Sequence, residues 1–277
     1  MPELPEVEVL RRSLEKLLPG ETIAKVEVHS PKLREPLDRD SLLGLEGRRI
    51  ESLKRRAKYL LVELDGGQTL VIHLGMSGSF TLAPAGTAGS TEKANHEHLT
   101  LHLGSGARLR LIDPRRFGLA FVVQTETLEA DRRLAHLGIE PLGPDFGGRY
   151  FAERIKGRKG PVKLFLMDGE VVVGVGNIYA SESLWRAGIH PKRPVSRMAK
   201  ASWEKLAQAV REVLEKAIAE GGTTLADFKD GEGNSGYFQV SLAVYDREDK
   251  SCPRCGKRIA RVVMGGRSTY YCTGCQR

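Results

Sequence analysis

Cys252-Pro253-Arg254-Cys255, then 16 residues, then Cys272-Thr273-Gly274-Cys275: the last 26 residues of this chain hold all four of its cysteines. Each Cys-x2-Cys pair is a knuckle that turns two thiolates to one side, and two knuckles surround one tetrahedral Zn2+. Gly256 and Gly274 stand in or beside the knuckles, where tight turns are needed. Four sulfur ligands leave no open coordination position, so the ion is structural rather than catalytic. A disulfide framework would spread its cysteines along a small secreted chain, and this chain has 277 residues. The same stretch is one-sided in charge: residues 251–277 carry Arg254, Lys257, Arg258, Arg261, Arg267 and Arg277 and no Asp or Glu. A solvated surface mixes signs, so a tail of one sign points to a phosphate backbone. The whole chain agrees in sign, with 43 Lys+Arg against 35 Asp+Glu and a net charge of +8.

Working outward, helical patterns occupy about 151–168, 177–187 and 200–220, and a Gly-rich loop, 231–236, separates them from the cysteines. Residues 131–150 contain Gly138, Pro141, Gly143, Pro144, Gly147 and Gly148 and read as a linker. Before it the chain is strand-rich: Lys25–His29, Tyr59–Leu64, Thr69–Leu74, Leu99–Leu103, Arg108–Ile112 and Leu119–Val123 are short apolar runs between Gly- and Asp-rich turns. Ahead of them, Val7, Leu10, Leu14 and Leu17 form one apolar stripe at helical spacing, with Pro5 in the first turn and Pro19-Gly20 as the stop. The expected class is α+β. A β-sandwich domain with a leading helix covers 1–130, a linker 131–150, a helical domain 151–237 and a zinc finger 238–277. At 40% hydrophobic and 28% charged residues the chain is ordinary for a globular protein. Its longest apolar runs are too short for a membrane span. Glu3, Glu6 and Glu8 stand where a signal peptide carries basic and apolar residues, so no membrane partner and a cytoplasmic location are expected.

The N-terminus carries a second kind of chemistry. Met1-Pro2 favours removal of the initiator methionine, which turns the Pro2 nitrogen into a free secondary amine. An α-amine titrates near ~8, far below a Lys side chain, so much more of it is nucleophilic at neutral pH. Attack of a secondary amine on a sugar C1′ gives a charged iminium, an electron sink that acidifies the C2′ proton. Glu3, the next residue, is a carboxylate able to shuttle protons beside it. A stiff N-terminus followed by helix-start acids is the plainer reading of the same residues.

The string Pro2-Glu3-Leu4-Pro5-Glu6-Val7-Glu8 resembles the opening of the formamidopyrimidine-DNA glycosylase family. The resemblance continues in order through Arg56-Ala57-Lys58-Tyr59-Leu60, His73-Leu74-Gly75-Met76-Ser77-Gly78, Asp113-Pro114-Arg115-Arg116-Phe117-Gly118 and Gly174-Val175-Gly176-Asn177-Ile178-Tyr179-Ala180-Ser181-Glu182. Gly236-Tyr237-Phe238-Gln239 and the four cysteines complete it. The resemblance implies a bifunctional glycosylase and abasic-site lyase acting on double-stranded DNA that contains 8-oxoguanine, formamidopyrimidines or abasic sites. It implies a helix-two-turns-helix body, one Zn2+ and a monomer.

It also implies roles. Pro2 is the Schiff-base nucleophile and Glu3 its acid/base partner. Lys58 moves a proton during β-elimination, although beside Arg55 and Arg56 it equally fits a phosphate cluster. Arg267 serves the δ-elimination step and phosphate binding. As a permanently protonated group, it suits phosphate better than proton donation. Met76, Arg115 and Phe117 fill the gap left by a flipped nucleotide, and the Gly and Pro residues around them read as exposed loops. Asn177 opens a helix after Gly174-Val175-Gly176, whose glycines let a backbone approach; Tyr179 takes the place where a dinucleotide loop needs its third Gly. His96, Arg158 and Lys163 match phosphate-contact positions.

Two stretches depart from the family pattern. Ala94-Asn95 separate Lys93 from His96-Glu97-His98, and 231–236 lacks the basic-Pro-Gly ending. Two rivals are weighed: the endonuclease VIII branch, against which Leu4-Pro5 and the intact Arg115–Phe117 block argue, and a non-catalytic zinc DNA-binding protein, which would not need Pro2 and Glu3.

Overall fold

Pro5 enters helix α1 (Leu4–Glu15) within its first turn, where a missing N–H costs nothing. In the computed structural model described here, residues 2–86, 93–222 and 241–277 are covered; Met1, the 231–236 loop and Gly236-Tyr237-Phe238-Gln239 lie outside the described residues. Val7, Leu10 and Leu14 bury their side chains from α1 into the core, as the stripe predicts. Leu17 does not: α1 ends at Glu15, the helical period is lost, and Leu17 is 42% exposed while Leu18 turns inward.

Two antiparallel four-stranded sheets follow. One runs β1 (Ile23–Val28), β6 (Glu97–Leu103), β7 (Arg108–Ile112), β5 (Ser79–Ala83); the other runs β2 (Ile50–Arg56), β3 (Tyr59–Leu64), β4 (Gln68–His73), β8 (Leu119–Gln124). A short helix, α2 (Arg39–Leu43), lies between β1 and β2 and starts on Asp38, whose carboxylate accepts the Ser41 N–H. Inward residues of both sheets share one core with α1, for example Val26, Leu99 and Leu109 from the first sheet and Leu53, Val62 and Leu70 from the second. This is the expected sandwich. Strands β2 and β5 go beyond the six expected runs. Ile-Glu-Ser-Leu-Lys-Arg-Arg buries only Ile50 and Leu53, so its polar face conceals the strand.

The chain divides into two compact units: the first reaches Ala135 and resumes at Glu220, and the second takes His136–Ala219 and the C-terminal stretch. The segment expected as a linker joins the second unit early, through a parallel bridge between Ile139 and Val172. The expected 151–168 helix is two short ones, α3 (Gly148–Arg154) and α4 (Val162–Leu166). Gly157 at φ +77° and Pro161, which lacks an N–H, interrupt it. Helices α5 (Asn177–Ala187) and α6 (Lys200–Ala219) fall where expected. Gly188 ends α5 in the left-handed conformation, φ +71°. The aromatic rings of Phe151, Phe165 and Trp203 fill the core of this unit, with centroids 5.1 Å apart for Phe151–Trp203 and 5.5 Å for Phe165–Trp203. The cysteine module is a hairpin, β9 (Ile259–Met264) and β10 (Arg267–Cys272), closed by Gly265-Gly266 at φ +55° and +72°, the signs a type I′ turn requires. No helix among the described residues is long and apolar enough to cross a membrane.

Leu14→Ala empties a fully buried site between α1 and the sheets. It should cost about 2–5 kcal/mol, seen as a lower urea midpoint at unchanged slope.

Candidate active site

Pro2 and Glu3 are both buried at the head of α1. A reciprocal capping box fixes them: the Glu3 N–H donates to Glu6 Oε2 at 2.7 Å, and the Glu3 carboxylate accepts the backbone N–H of Glu6. The carboxylate following Pro2 is thereby held at the positive end of a helix dipole. One turn on, Glu8 accepts hydrogen bonds from Arg11 and Arg12 and from Arg55 of β2, at 3.0, 2.9 and 3.1 Å. Burial alone would raise its pKa; the bonds from Arg11 and Arg12, with Arg55 nearby, hold it below the usual carboxylate range.

Lys58 occupies the tip of the β2–β3 hairpin, whose two-residue turn places Ala57 at φ +53°. The other four residues expected at DNA in this unit also sit at or beside a left-handed residue. Gly75 (φ +63°) precedes Met76, Arg116 (φ +56°) separates Arg115 from Phe117, and His96 is itself at φ +62°. Such backbone costs on the order of 1 kcal/mol or more for a non-glycine residue and is kept where surrounding contacts impose it. Met76 and Phe117 are 40% and 41% exposed, and the Arg115 guanidinium lies 5.0 Å from the Phe117 ring centroid. Large apolar side chains on loops in water are therefore what the sequence expected, not core residues.

These loops are tied together. A Cβ on Gly75 would come within 2.6 Å of the Phe117 carbonyl oxygen, so only glycine permits this approach. His73, which the sequence reading passed over, is half-buried against Tyr59 with ring centroids 4.8 Å apart, and its Nδ1 accepts the Gly75 N–H at 3.0 Å. Burial, with Arg34 and Lys58 nearby, pushes its pKa down to about 3, so the ring stays neutral and can accept. Its signal in the sequence is a histidine at the end of an apolar strand, two residues before a glycine.

In the second unit Asn177 is the first residue of α5, and its amide bridges two partners. Its Oδ1 accepts from Lys163 Nζ at 2.6 Å and its Nδ2 donates to Ser268 O at 2.9 Å. Lys163 is wholly buried and also donates to Thr269 Oγ1 at 2.6 Å. The structure thus places Lys163 beneath the surface, where it locks α4, α5 and β10 together next to Arg267. Removing a partner from a buried charge of this kind costs about 3–5 kcal/mol. Arg158 is at the surface, bonded to Asp168 Oδ2 at 2.7 Å and lying over the Phe165 ring. Glu182, also not singled out by the sequence reading, is buried in α5 and accepts three backbone N–H groups, from Ala243, Val244 and Tyr245, at 2.8 to 2.9 Å. An acid flanked at helical spacing by Ile178, Tyr179 and Trp185 is the clue the sequence offers.

The four cysteine sulfurs lie within 4.8 Å of one another, with Cys252–Cys275 at 3.8 Å and Cys255–Cys272 at 3.4 Å. A tetrahedron with Zn–S bonds of about 2.3 Å has edges of about 3.8 Å, so the donor set fits zinc. The Trp185 indole N–H and the Arg254 N–H both point at Cys252 Sγ at 3.4 Å. Burial opposes ionisation of that thiol, yet these donors draw it down to about 6. Arg254 in turn lies over the Trp185 ring and donates to the Trp185 and Arg186 carbonyls at the end of α5. The knuckle is thus stitched to the helix.

Sandwich, helix pair and four-sulfur hairpin define the class: a zinc-finger protein of the helix-two-turns-helix type. Residues 1–120 match the formamidopyrimidine-DNA glycosylase N-terminal domain, 137–229 its H2TH domain, and 249–277 the zinc finger found in FPG and IleRS. The formamidopyrimidine-DNA glycosylase of Acidithiobacillus ferrooxidans is 48% identical over 277 residues, covering all of both chains. Among solved structures, Lactococcus lactis Fpg bound to abasic-site DNA superposes with a TM-score of 0.90 at 32% identity over 99% of each chain. The same enzyme with Fapy-dG-containing DNA gives 0.89 at 32%, over 99% of this chain and 100% of that one. This chain belongs to the formamidopyrimidine-DNA glycosylase family, and its four cysteines hold one structural Zn2+.

Acid-denatured protein should therefore release one Zn2+ per chain to a metallochromic dye. A strong chelator should abolish the near-UV signal of the hairpin tyrosines while leaving the sandwich's far-UV signal intact. Protein free of zinc that keeps that hairpin signal would contradict a structural ion.

Proposed function

We propose that this protein excises oxidised purines, 8-oxoguanine and ring-opened formamidopyrimidines, from double-stranded DNA and cleaves the abasic product, with the Pro2 amine as nucleophile. The observation that carries the reading is the capping box at the head of α1, which holds the Glu3 carboxylate beside Pro2 in a chain that matches its relatives end to end. The relatives whose DNA complexes are solved are described with Fapy-dG and abasic-site DNA, which supports this substrate class.

The chemistry follows from the amine. The Pro2 nitrogen bonds to C1′ as the C1′–N bond to the damaged base breaks; the base leaves with a proton. Glu3 donates a proton to O4′ as the C1′–O4′ bond breaks, which opens the sugar and leaves C1′ joined to Pro2 as an iminium. The resulting iminium withdraws electrons from C2′, so loss of a C2′ proton expels the 3′ phosphate. A second elimination expels the 5′ phosphate, and water then hydrolyses the imine to free Pro2. Lys58 serves as the proton-transfer group of the first elimination, and Arg267 holds phosphate charge through the second. Met76, Arg115 and Phe117 occupy the space of the extruded nucleotide, which offsets an unstacking cost of a few kcal/mol. His96, Arg158 and Asn177 contact phosphates, and Lys163 supports them by fixing Asn177 and the hairpin that carries Arg267. The 1–130 region is read as catalytic, 151–237 and 238–277 as the DNA-gripping parts, and the protein as a monomer acting on the nucleoid in the cytoplasm.

Sodium borohydride added during incubation with an 8-oxoguanine duplex should reduce the iminium and leave protein covalently joined to DNA. Pro2→Gly should lose most or all of the adduct. If protein whose mass shows Met1 removed gives no adduct while binding the duplex, the amine mechanism is wrong.

A further inference from the structure

Asp113 directly follows β7 with its side chain wholly buried, and it is bonded to the three loops that carry Met76, Arg115 with Phe117, and His96. On the 74–78 loop, Ser77 Oγ donates to Asp113 Oδ1 at 2.8 Å, one residue from Met76. On its own loop, Gly118 N–H donates to Oδ2 at 2.7 Å and Arg115 N–H to Oδ1 at 3.3 Å, which brackets Arg115 and Phe117. On the third loop, the Asp113 N–H donates to His96 O at 3.0 Å. The Asp113 carbonyl accepts from His98 Nε2 at 2.9 Å. Ser77 Oγ also accepts the Arg115 N–H at 3.3 Å, so the first two loops share a closed ring of hydrogen bonds.

Chemistry explains why a carboxylate stands here. Its two oxygens face donors only, two backbone N–H groups and one hydroxyl. An amide of equal size keeps only one acceptor oxygen: it either leaves the buried Gly118 N–H facing an NH2, or turns that NH2 toward Ser77 Oγ and the Arg115 N–H, which reverses the hydroxyl and breaks the ring. His96 and Arg116, non-glycine residues at positive φ, are not held there by local preference alone. Side chains that must fill one void together need placement to about 0.5 Å, which requires a shared anchor.

We infer that Asp113 is a positioning residue that sets Met76, Arg115 and Phe117 in fixed relation to one another, so that base extrusion depends on it and the later eliminations do not. The inference rests on the void-filling role given to those three side chains above. Asp113 itself touches no DNA in this scheme.

The test compares two duplexes, one with 8-oxoguanine and one with a preformed abasic site, under single-turnover conditions. Asp113→Asn keeps the volume and should lower excision of 8-oxoguanine about ten- to a hundredfold, the range expected for small misplacements. It should change strand cleavage at the abasic site by no more than about twofold, since no base has to be unstacked there. Ser77→Ala, which removes one donor and leaves the carboxylate, should show the same split more weakly and serves if Asp113→Asn folds poorly. Leu61→Ala, in the apolar cluster on the other face of the β2–β3–β4–β8 sheet, controls for lost stability and should show no split. Phe117→Ala should show the split directly. A split in Phe117→Ala with none in Asp113→Asn or Ser77→Ala overturns the inference alone. Absence of a split in Phe117→Ala overturns the void-filling reading and the inference with it.

Discussion

A backbone N–H buried in a turn or at a helix start must find an acceptor, and in this protein buried carboxylates supply it at four irregular segments. Glu6 accepts from Glu3, Asp113 from Arg115 and Gly118, Glu97 from Ala94 beside His96, and Glu182 from three successive residues ahead of the zinc knuckles. A carboxylate with two oxygens can gather several N–H groups from one irregular stretch, which a single carbonyl cannot, and charge-assisted bonds are the stronger kind. Loops that would otherwise fluctuate are given one geometry. The sandwich and helix pair furnish rigid walls, but these acids set the loops that the walls leave irregular.

The same device explains how unusual backbone is tolerated. Ala57, His96 and Arg116 have no glycine-like freedom, yet each adopts a positive φ next to a group assigned to DNA. In each case something fixed stands on both sides. Ala57 lies between strands β2 and β3 in register through Arg56 and Tyr59, its carbonyl bonded to Arg55. His96 and Arg116 are both tied to Asp113, through the His96 carbonyl and the Arg116 N–H. Strain of this kind turns a side chain outward at an angle that ordinary strand or helix geometry would not give.

In the second unit a buried cation works beside Glu182. Lys163 lies below the surface and spends its donors on Asn177, Thr269 and the Ser268 carbonyl. A buried ammonium is tolerated only when its hydrogens are met, so the three elements that meet them are locked in one arrangement. The zinc ion and the Arg254–Trp185 stack complete the bracing of the hairpin that presents Arg267.

Much of this was legible in the order of residues. Cysteine spacing specifies a four-sulfur site because thiolate chemistry and chain geometry act within a few residues of each other. The leading helix, six of the eight sandwich strands and helices α5 and α6 show in hydrophobic period, which is a local property. The Pro2-Glu3 pair is legible for the same reason, since both groups are adjacent in the chain. What the tertiary structure decided is everything that depends on partners far apart in sequence. Strand β2 hides behind a charged face until β3 pairs with it; Leu17 loses its place when α1 stops short; Lys163 is buried by residues more than a hundred positions away. Asp113 and Glu182 look like any surface acids until folding removes water and brings backbone donors to them. Local sequence encodes which chemistry is available, while solvent exclusion and long-range contacts determine which groups are desolvated, and hence what each is able to do.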